Sequence, residues 1–289
     1  MKKSSGLLYV IIGASLWGTL PVFSRLAYAA GSTAVTAAAM RAYLAAILSL
    51  AWLSARRSQW RLSIRDIPFY LVYGATGIGG TFLFYMMAIE RLSTAMAVIL
   101  LYTGPAFVIL LSRLAFGEPI TRAKAMGLAC TFTGSVLVVR GYDVATLSSS
   151  WSGILIGLAS GLSYSMTTVL GRIARQKNAP DVNASLMLIF GALVFLPIQS
   201  PWNIPAPTPV LWLHYLALAI LGSVLAYAFY LKGLSTGLDG GNASLAATIE
   251  PVLATLFGVL FFQDLLEPQQ IFGMGIVLAG IVLPIRFAK

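Results

Sequence analysis

Charge is scarce in this chain. Of its 289 residues only 10% are Asp, Glu, Lys or Arg, against roughly 25% in a soluble domain. There is one cysteine, Cys130, and one histidine, His214. No intramolecular disulfide can therefore form, and no His-based metal cluster can be assembled. The chain has no Walker A loop, no paired His/Glu metal spacing and no nucleophile–base constellation. These absences argue in turn against a soluble domain, a disulfide scaffold, a metalloenzyme, ATP-driven pumping by this chain and an intramembrane enzyme. No cofactor is expected.

Apolar sequence is abundant. Hydrophobic residues make up 58% of the chain, and the mean hydropathy is +0.87. A soluble protein so composed could not cover its surface with polar groups. Runs of about 20 apolar residues, enough to cross a bilayer, fall at 6–29, 33–54, 66–90, 94–115, 121–140, 151–174, 180–199, 209–235, 241–263 and 267–286. Short connections join them, leaving no room for a soluble domain. The expected fold class is an all-α polytopic membrane protein of ten transmembrane helices, surrounded by lipid bilayer. The net charge of +10 is spread over short loops, where basic residues set topology; no nucleic acid is implied. Lys2, Lys3, an apolar run and Ala27-Tyr28-Ala29 imitate a signal peptide. The run is long for one, and a matching helix recurs in mid-chain, so an uncleaved first helix is expected.

That recurrence organises the chain. Pairing 95–140 with 241–286 gives ten identities in 46 positions. Among them are Pro105/Pro251, Phe116/Phe262, Gly127/Gly273 and Gly134/Gly280, and the acid Glu118 falls on Asp264. With small register shifts, Gly6 pairs with Gly153, Arg25 with Arg172, Trp60 with Trp202, and Phe84-Tyr85 with Phe229-Tyr230. The chain reads as two copies of a five-helix unit, 1–146 and 147–289.

An odd number of spans inserts the second copy upside down. Cytoplasmic loops attract Lys and Arg, and outside loops shed them. The loop RRSQWRLSIRD carries Arg56, Arg57, Arg61 and Arg65; its counterpart SPWNIPAPTP carries no charge. Arg122 and Lys124 likewise become Pro268 and Gln270. With both termini cytoplasmic, all but Arg25, Arg41, Arg91 and Arg140 of the nineteen basic residues fall near the cytoplasmic face.

Ten helices in two inverted copies resemble the drug/metabolite transporter superfamily, specifically its EamA-type exporters. The resemblance covers essentially the whole chain. It is carried by WGTLPVFSR in the first helix, by GPAFVILLSRLAFGEP and EPVLATLFGVLFFQD, and by the glycines after each block. Asp264 stands where Glu is more usual, and the sixth helix has Ser-Tyr-Ser in place of Trp-Gly. The resemblance implies export of small metabolites, often amino acids, across a bacterial inner membrane.

Candidate site residues follow from depth. Trp17, Tyr85, Tyr102, Tyr164, Tyr227 and Tyr230 lie away from the expected helix edges, where aromatics would merely anchor to headgroups. Buried Tyr and Trp need partners for their OH and NH, so the set points to a polar cavity. Asn242 adds an amide that donates and accepts. Glu250, just before Pro251, is an ionisable group at membrane depth and a functional candidate by default; a carboxyl bonded to a neighbouring helix is the alternative. Arg41 is a candidate for a substrate carboxylate, or for snorkelling or pairing with a buried acid. Glu118 and Asp264 are expected to cap the following helices, and Arg25 and Arg172 to serve as C-terminal helix cations. The repeated prolines are expected to kink the fourth and ninth helices, and Gly77, Gly79 and Gly80 to permit close helix contact.

Phosphorylated substrates require cations at the site, and Arg41 is nearly alone at midplane. A small zwitterion such as an amino acid, apolar or aromatic, suits the mixed polarity better. Sugar phosphates, drugs and other organic metabolites are the alternative cargoes.

Overall fold

The computed structural model describes residues 2–55, 62–92, 94–142 and 150–286. Arg56, Arg57, Trp60 and Arg61 lie outside the described residues. Helix covers each expected apolar run: α1 (Ser5–Ala29), α2 (Ala34–Ala55), α3 (Ile64–Arg91), α4 (Met96–Phe116), α5 (Arg122–Val138), α6 (Trp151–Ala174), α7 (Pro180–Phe195), α8 (Pro209–Ser235), α9 (Gly240–Phe262) and α10 (Pro268–Arg286). Among the described residues there is no strand. Seven of these helices, α1–α4, α6, α8 and α9, are long and apolar enough to cross a membrane; α7 and residues 268–284 of α10 are shorter apolar helices.

Local chemistry explains several boundaries. The side chains of Thr121, Ser150, Thr208 and Asp239 accept from backbone N–H groups at the starts of α5, α6, α8 and α9, filling donors that a helix start leaves open. The fourth helix ends on Gly117 in the left-handed region (φ 69°), where glycine pays no Cβ penalty. Its repeat counterpart Gln263 adopts the same conformation (φ 57°) with a side chain attached.

Three helices are broken rather than merely kinked. A non-helical step at Gly18-Thr19 divides α1, one at Tyr102-Thr103 divides α4, and one at Thr248 divides α9. Pro21, Pro105 and Pro251 each fall at the start of the segment that follows. A proline there loses no hydrogen bond, because the first-turn N–H groups have no intrahelical partner. The expected kinks in α4 and α9 are therefore breaks, and α1 carries a third. Its counterpart α6 has no proline and runs unbroken.

The helices α3 and α8 share another irregularity. Each contains a π-turn, Ala75–Gly80 and Ile220–Leu225, placing Gly77 in register with Gly222. Such turns disturb the regular i→i−4 ladder and recur at functional positions. The Gly77 carbonyl accepts from the Thr81 and Thr167 hydroxyls. The Gly222 carbonyl accepts from Arg41.

The two copies interlock crosswise. From the first copy, α1 packs on α8, α2 on α7, α3 on α6 and α5 on α10, all of the second copy. Glycine permits the close approaches. A Cβ on Gly127 would stand 2.8 Å from the Gly280 carbonyl oxygen, and one on Gly134 would stand 2.7 Å from that of Gly273. Those two contacts exchange under the repeat, so the pseudo-two-fold axis passes between α5 and α10. Gly13 meets the backbone of Ala226 and Tyr230 on α8, and Gly80 meets Ser163 on α6. Apolar side chains such as Leu8, Ile47, Leu114, Leu155, Leu213 and Leu260 point outward, as a lipid-facing surface requires.

Candidate functional site

The broken helices meet at the centre of this crossed arrangement. The break in α9 places Glu250 in the first turn of its second half, where backbone N–H groups lack helical partners. Gly18, at the break of α1, lies against Leu253 and Ala254 one turn further along α9. Trp17 precedes it and is buried. Its ring meets Tyr227 at 5.1 Å, Tyr230 at 5.2 Å and Tyr164 at 6.2 Å between centroids. Four of the six expected aromatics therefore form one cluster, joining α1, α6 and α8.

The other two approach Glu250. Tyr85 and Tyr102 are close enough to the Glu250 carboxyl to interact with it electrostatically, as are Tyr164, Tyr227 and Arg41. By accessible surface Tyr85, Tyr102, Tyr164 and Glu250 are each half-buried. Tyr230 differs: it is fully buried, and its hydroxyl shares a 2.6 Å hydrogen bond with that of Thr168. Its role is to hold α8 on α6 behind the Trp17 ring.

Among the expected site residues, the Trp17 indole Nε1 and the Asn242 carbonyl Oδ1 are buried with no hydrogen-bond partner in the protein. A buried donor or acceptor left unpaired costs about 1–3 kcal/mol, so each is an opportunity for a bound polar molecule. Asn242 stands in the first turn of α9, two turns from Glu250. No ring contact or hydrogen bond joins its side chain to the aromatic cluster.

Arg41 does not pair with a buried acid. Its Nε donates to Ser223 Oγ at 2.7 Å and its Nη2 to the Gly222 carbonyl at 2.6 Å. Its guanidinium lies over the Phe82 ring at 4.2 Å. Two of its donors thus anchor it to the π-turn of α8, and no carboxylate among the described residues lies within ion-pair distance of it. Sequence reasoning missed Ser223, Gly222 and Phe82. The one signal available was that Gly222 repeats Gly77.

The capping roles expected for Glu118 and Asp264 are replaced by others. Thr121 caps α5. Glu118 instead pairs with Arg172, lies 3.9 Å from Lys124 Nζ and accepts from the Gly240 N–H at the start of α9. Asp264 pairs with Arg25 at 2.6 Å. Both expected helix-end cations therefore bond acids of the other copy. Lys124 also bonds Asp239 at 2.7 Å. A cleft of about 1060 Å³ opens beside the Arg25–Asp264 pair, bounded by Pro21, Phe262 and Gln270 among others.

Interlocked helical copies, broken at the centre around half-buried aromatics and one carboxyl, define a multi-pass membrane transporter. The comparisons agree. Residues 4–140 and 151–286 each match the EamA-like transporter family, and the chain belongs to that family within the drug/metabolite transporter superfamily. It is similar to an uncharacterised transporter of Archaeoglobus fulgidus, 30% identical over 70% of this chain and 71% of that protein. It is also similar to the threonine/homoserine exporter RhtA of Escherichia coli K12, 28% identical over 92% of this chain and 86% of RhtA. Protein PecM of Dickeya dadantii is 28% identical over 78% and 73% of the two chains. A crystal structure at 22% identity has the same fold, with a TM-score of 0.83 covering 99% of this chain and 98% of the other.

Proposed function

We propose that this protein exports small zwitterionic metabolites, amino acids foremost, across a bacterial inner membrane. It does so without ATP, by alternating access of two inverted copies, with ten crossings and both termini cytoplasmic. The observation that carries this reading is the half-buried set Tyr85, Tyr102, Tyr164 and Glu250 beside Trp17. A carboxyl suits an ammonium group, an unpaired indole N–H suits a carboxylate, and aromatic walls suit an apolar or aromatic side chain. The named activity of RhtA supports the amino-acid class.

A phosphorylated cargo fits less well. It would need several cationic donors, and Arg41 already directs two of its five N–H groups to Ser223 and Gly222. The test uses purified protein in liposomes loaded with labelled amino acids. Saturable efflux down a gradient, faster than from equally loaded protein-free liposomes and competed by a subset of amino acids, is expected. Failure across the amino-acid panel, with sugar phosphates moving instead, would reassign the cargo.

A further inference from the structure

The repeat relates two ion pairs residue by residue. Arg25 corresponds to Arg172, Asp264 to Glu118, and Phe262 to Phe116. In each pair an arginine ending the first helix of one copy bonds the acid that follows the fourth helix of the other. The guanidinium lies over the phenylalanine two residues before that acid, Arg25 over Phe262 at 3.9 Å and Arg172 over Phe116 at 4.2 Å. A charge pair and a cation–π contact thus recur as one unit, and each unit ties one copy to the other.

The units stand at opposite ends of the molecule. Helix α9 begins at Gly240, whose N–H donates to Glu118, and ends just before Asp264. Its 23 residues, rising about 1.5 Å each, separate the pairs by roughly 35 Å. Their surroundings differ. The side chains of Arg25 and Asp264 are 50% and 46% exposed, beside the open cleft. Those of Arg172 and Glu118 are 12% and 11% exposed. The buried end is also reinforced by the Lys124–Asp239 bond. At the exposed end Gln270 replaces Lys124 in the repeat and bonds the Val138 carbonyl.

We propose that the Arg25–Asp264 and Arg172–Glu118 pairs are two latches, both bonded here, whose burial alternates during transport, and that this structure is the state sealed over the Arg172 pair and open to the medium at the Arg25 pair. The inference rests on the alternating-access reading and deepens it. An exposed ion pair contributes little and is screened by salt, so the Arg25 latch permits a cleft beside it. A buried pair is costly to break from one side, so the Arg172 latch seals its end. Exchanging the two burials along the pseudo-two-fold generates the opposite state from the same contacts. Each end also has a second pair joining the copies, and the contrast repeats there: Lys124–Asp239 is more buried than Arg140–Glu267, which lines the cleft.

The test reads conformation without any cargo, so a wrong cargo assignment leaves it intact. In a Cys130→Ser background, single cysteines replace Thr255, in the cleft, or Ser112, buried beside Gly240. Purified protein is alkylated with a charged maleimide. Thr255→Cys should react and Ser112→Cys should resist. Adding Glu118→Gln should raise labelling of Ser112→Cys several-fold and lower that of Thr255→Cys. Asp264→Asn should leave Ser112→Cys protected. The exchange Glu118→Arg with Arg172→Glu should restore the parent pattern. Unchanged rates in Glu118→Gln, or a rise at both cysteines together, would overturn the proposal. Should the exchanged pair fail to fold, salt titration of the Glu118→Gln and parent proteins provides the second readout. The parent pattern should be salt-resistant, and a salt-sensitive Ser112→Cys would count against a buried latch.

Discussion

Trp17 is central to the proposed site. Its ring touches three tyrosines, yet its indole nitrogen is buried with no protein partner. Losing one aromatic contact costs about 1 kcal/mol or more, a several-fold change in affinity. Trp17→Ala or Tyr164→Ala should therefore weaken apparent affinity in liposome transport several-fold, at matched folding. The exposed Trp202 is the control, and Trp202→Ala should leave transport unchanged. Equal effects at all three would favour a packing role for the cluster.

Glu250 is the other residue on which the proposed site depends. A charge-assisted hydrogen bond to an ammonium group is worth roughly 1.5–3 kcal/mol, so Glu250→Gln should weaken amino-acid affinity about tenfold or more. The bond is strongest to the ionised carboxylate. Transport by the parent protein should fall as pH drops through the titration of Glu250, and the glutamine variant should lack that fall. Measuring initial rates from pH 5 to 8 in both proteins decides the matter, and parallel profiles would remove Glu250 from the binding step.

At the scale of elements, caps and close contacts carry the predictions. Gln263 holds a left-handed conformation that its counterpart Gly117 adopts freely. A side chain there costs about 1–2 kcal/mol, partly offset by the extra chain entropy of glycine. Gln263→Gly should thus stabilise the protein by up to about 1 kcal/mol, visible as a higher unfolding temperature in detergent. Gly134 is the reverse case. A Cβ there would sit 2.7 Å from the Gly273 carbonyl oxygen, and overpacking of this kind costs about 1–3 kcal/mol. Gly134→Val should lower the unfolding temperature, whereas the same change at the open Gly275 should not. A neutral result at Gly134 would mean that α5 and α10 slide apart without penalty.

At the scale of the whole molecule, orientation follows from charge. Reporter fusions after the C-terminus and in the loop holding Arg65 should read cytoplasmic, and a fusion near Trp202 should read external. An external C-terminus would break the proposed even number of crossings.

Much of this was legible in the chain itself. Apolar runs bounded by Gly, Pro and capping residues determined the helices, since a backbone in lipid has few other ways to satisfy its hydrogen bonds. The spacing of Phe, acid and Gly across the two halves revealed the repeat, and with it the families of residues that correspond. Periodicity and composition could not reveal which partners those residues take. Glu118 and Asp264 looked like caps for their neighbours in sequence; only the crossed packing brings Arg172 and Arg25 to them. Arg41 reads from sequence as a cation for a substrate carboxylate, a snorkelling side chain or the partner of a buried acid; only the fold brings to it a carbonyl and a hydroxyl of the π-turn in α8, more than 180 residues away. Local sequence decides where a helix begins and ends. Which acid meets which base is decided by long-range geometry, because the bond forms only when two copies of the unit interlock head to tail.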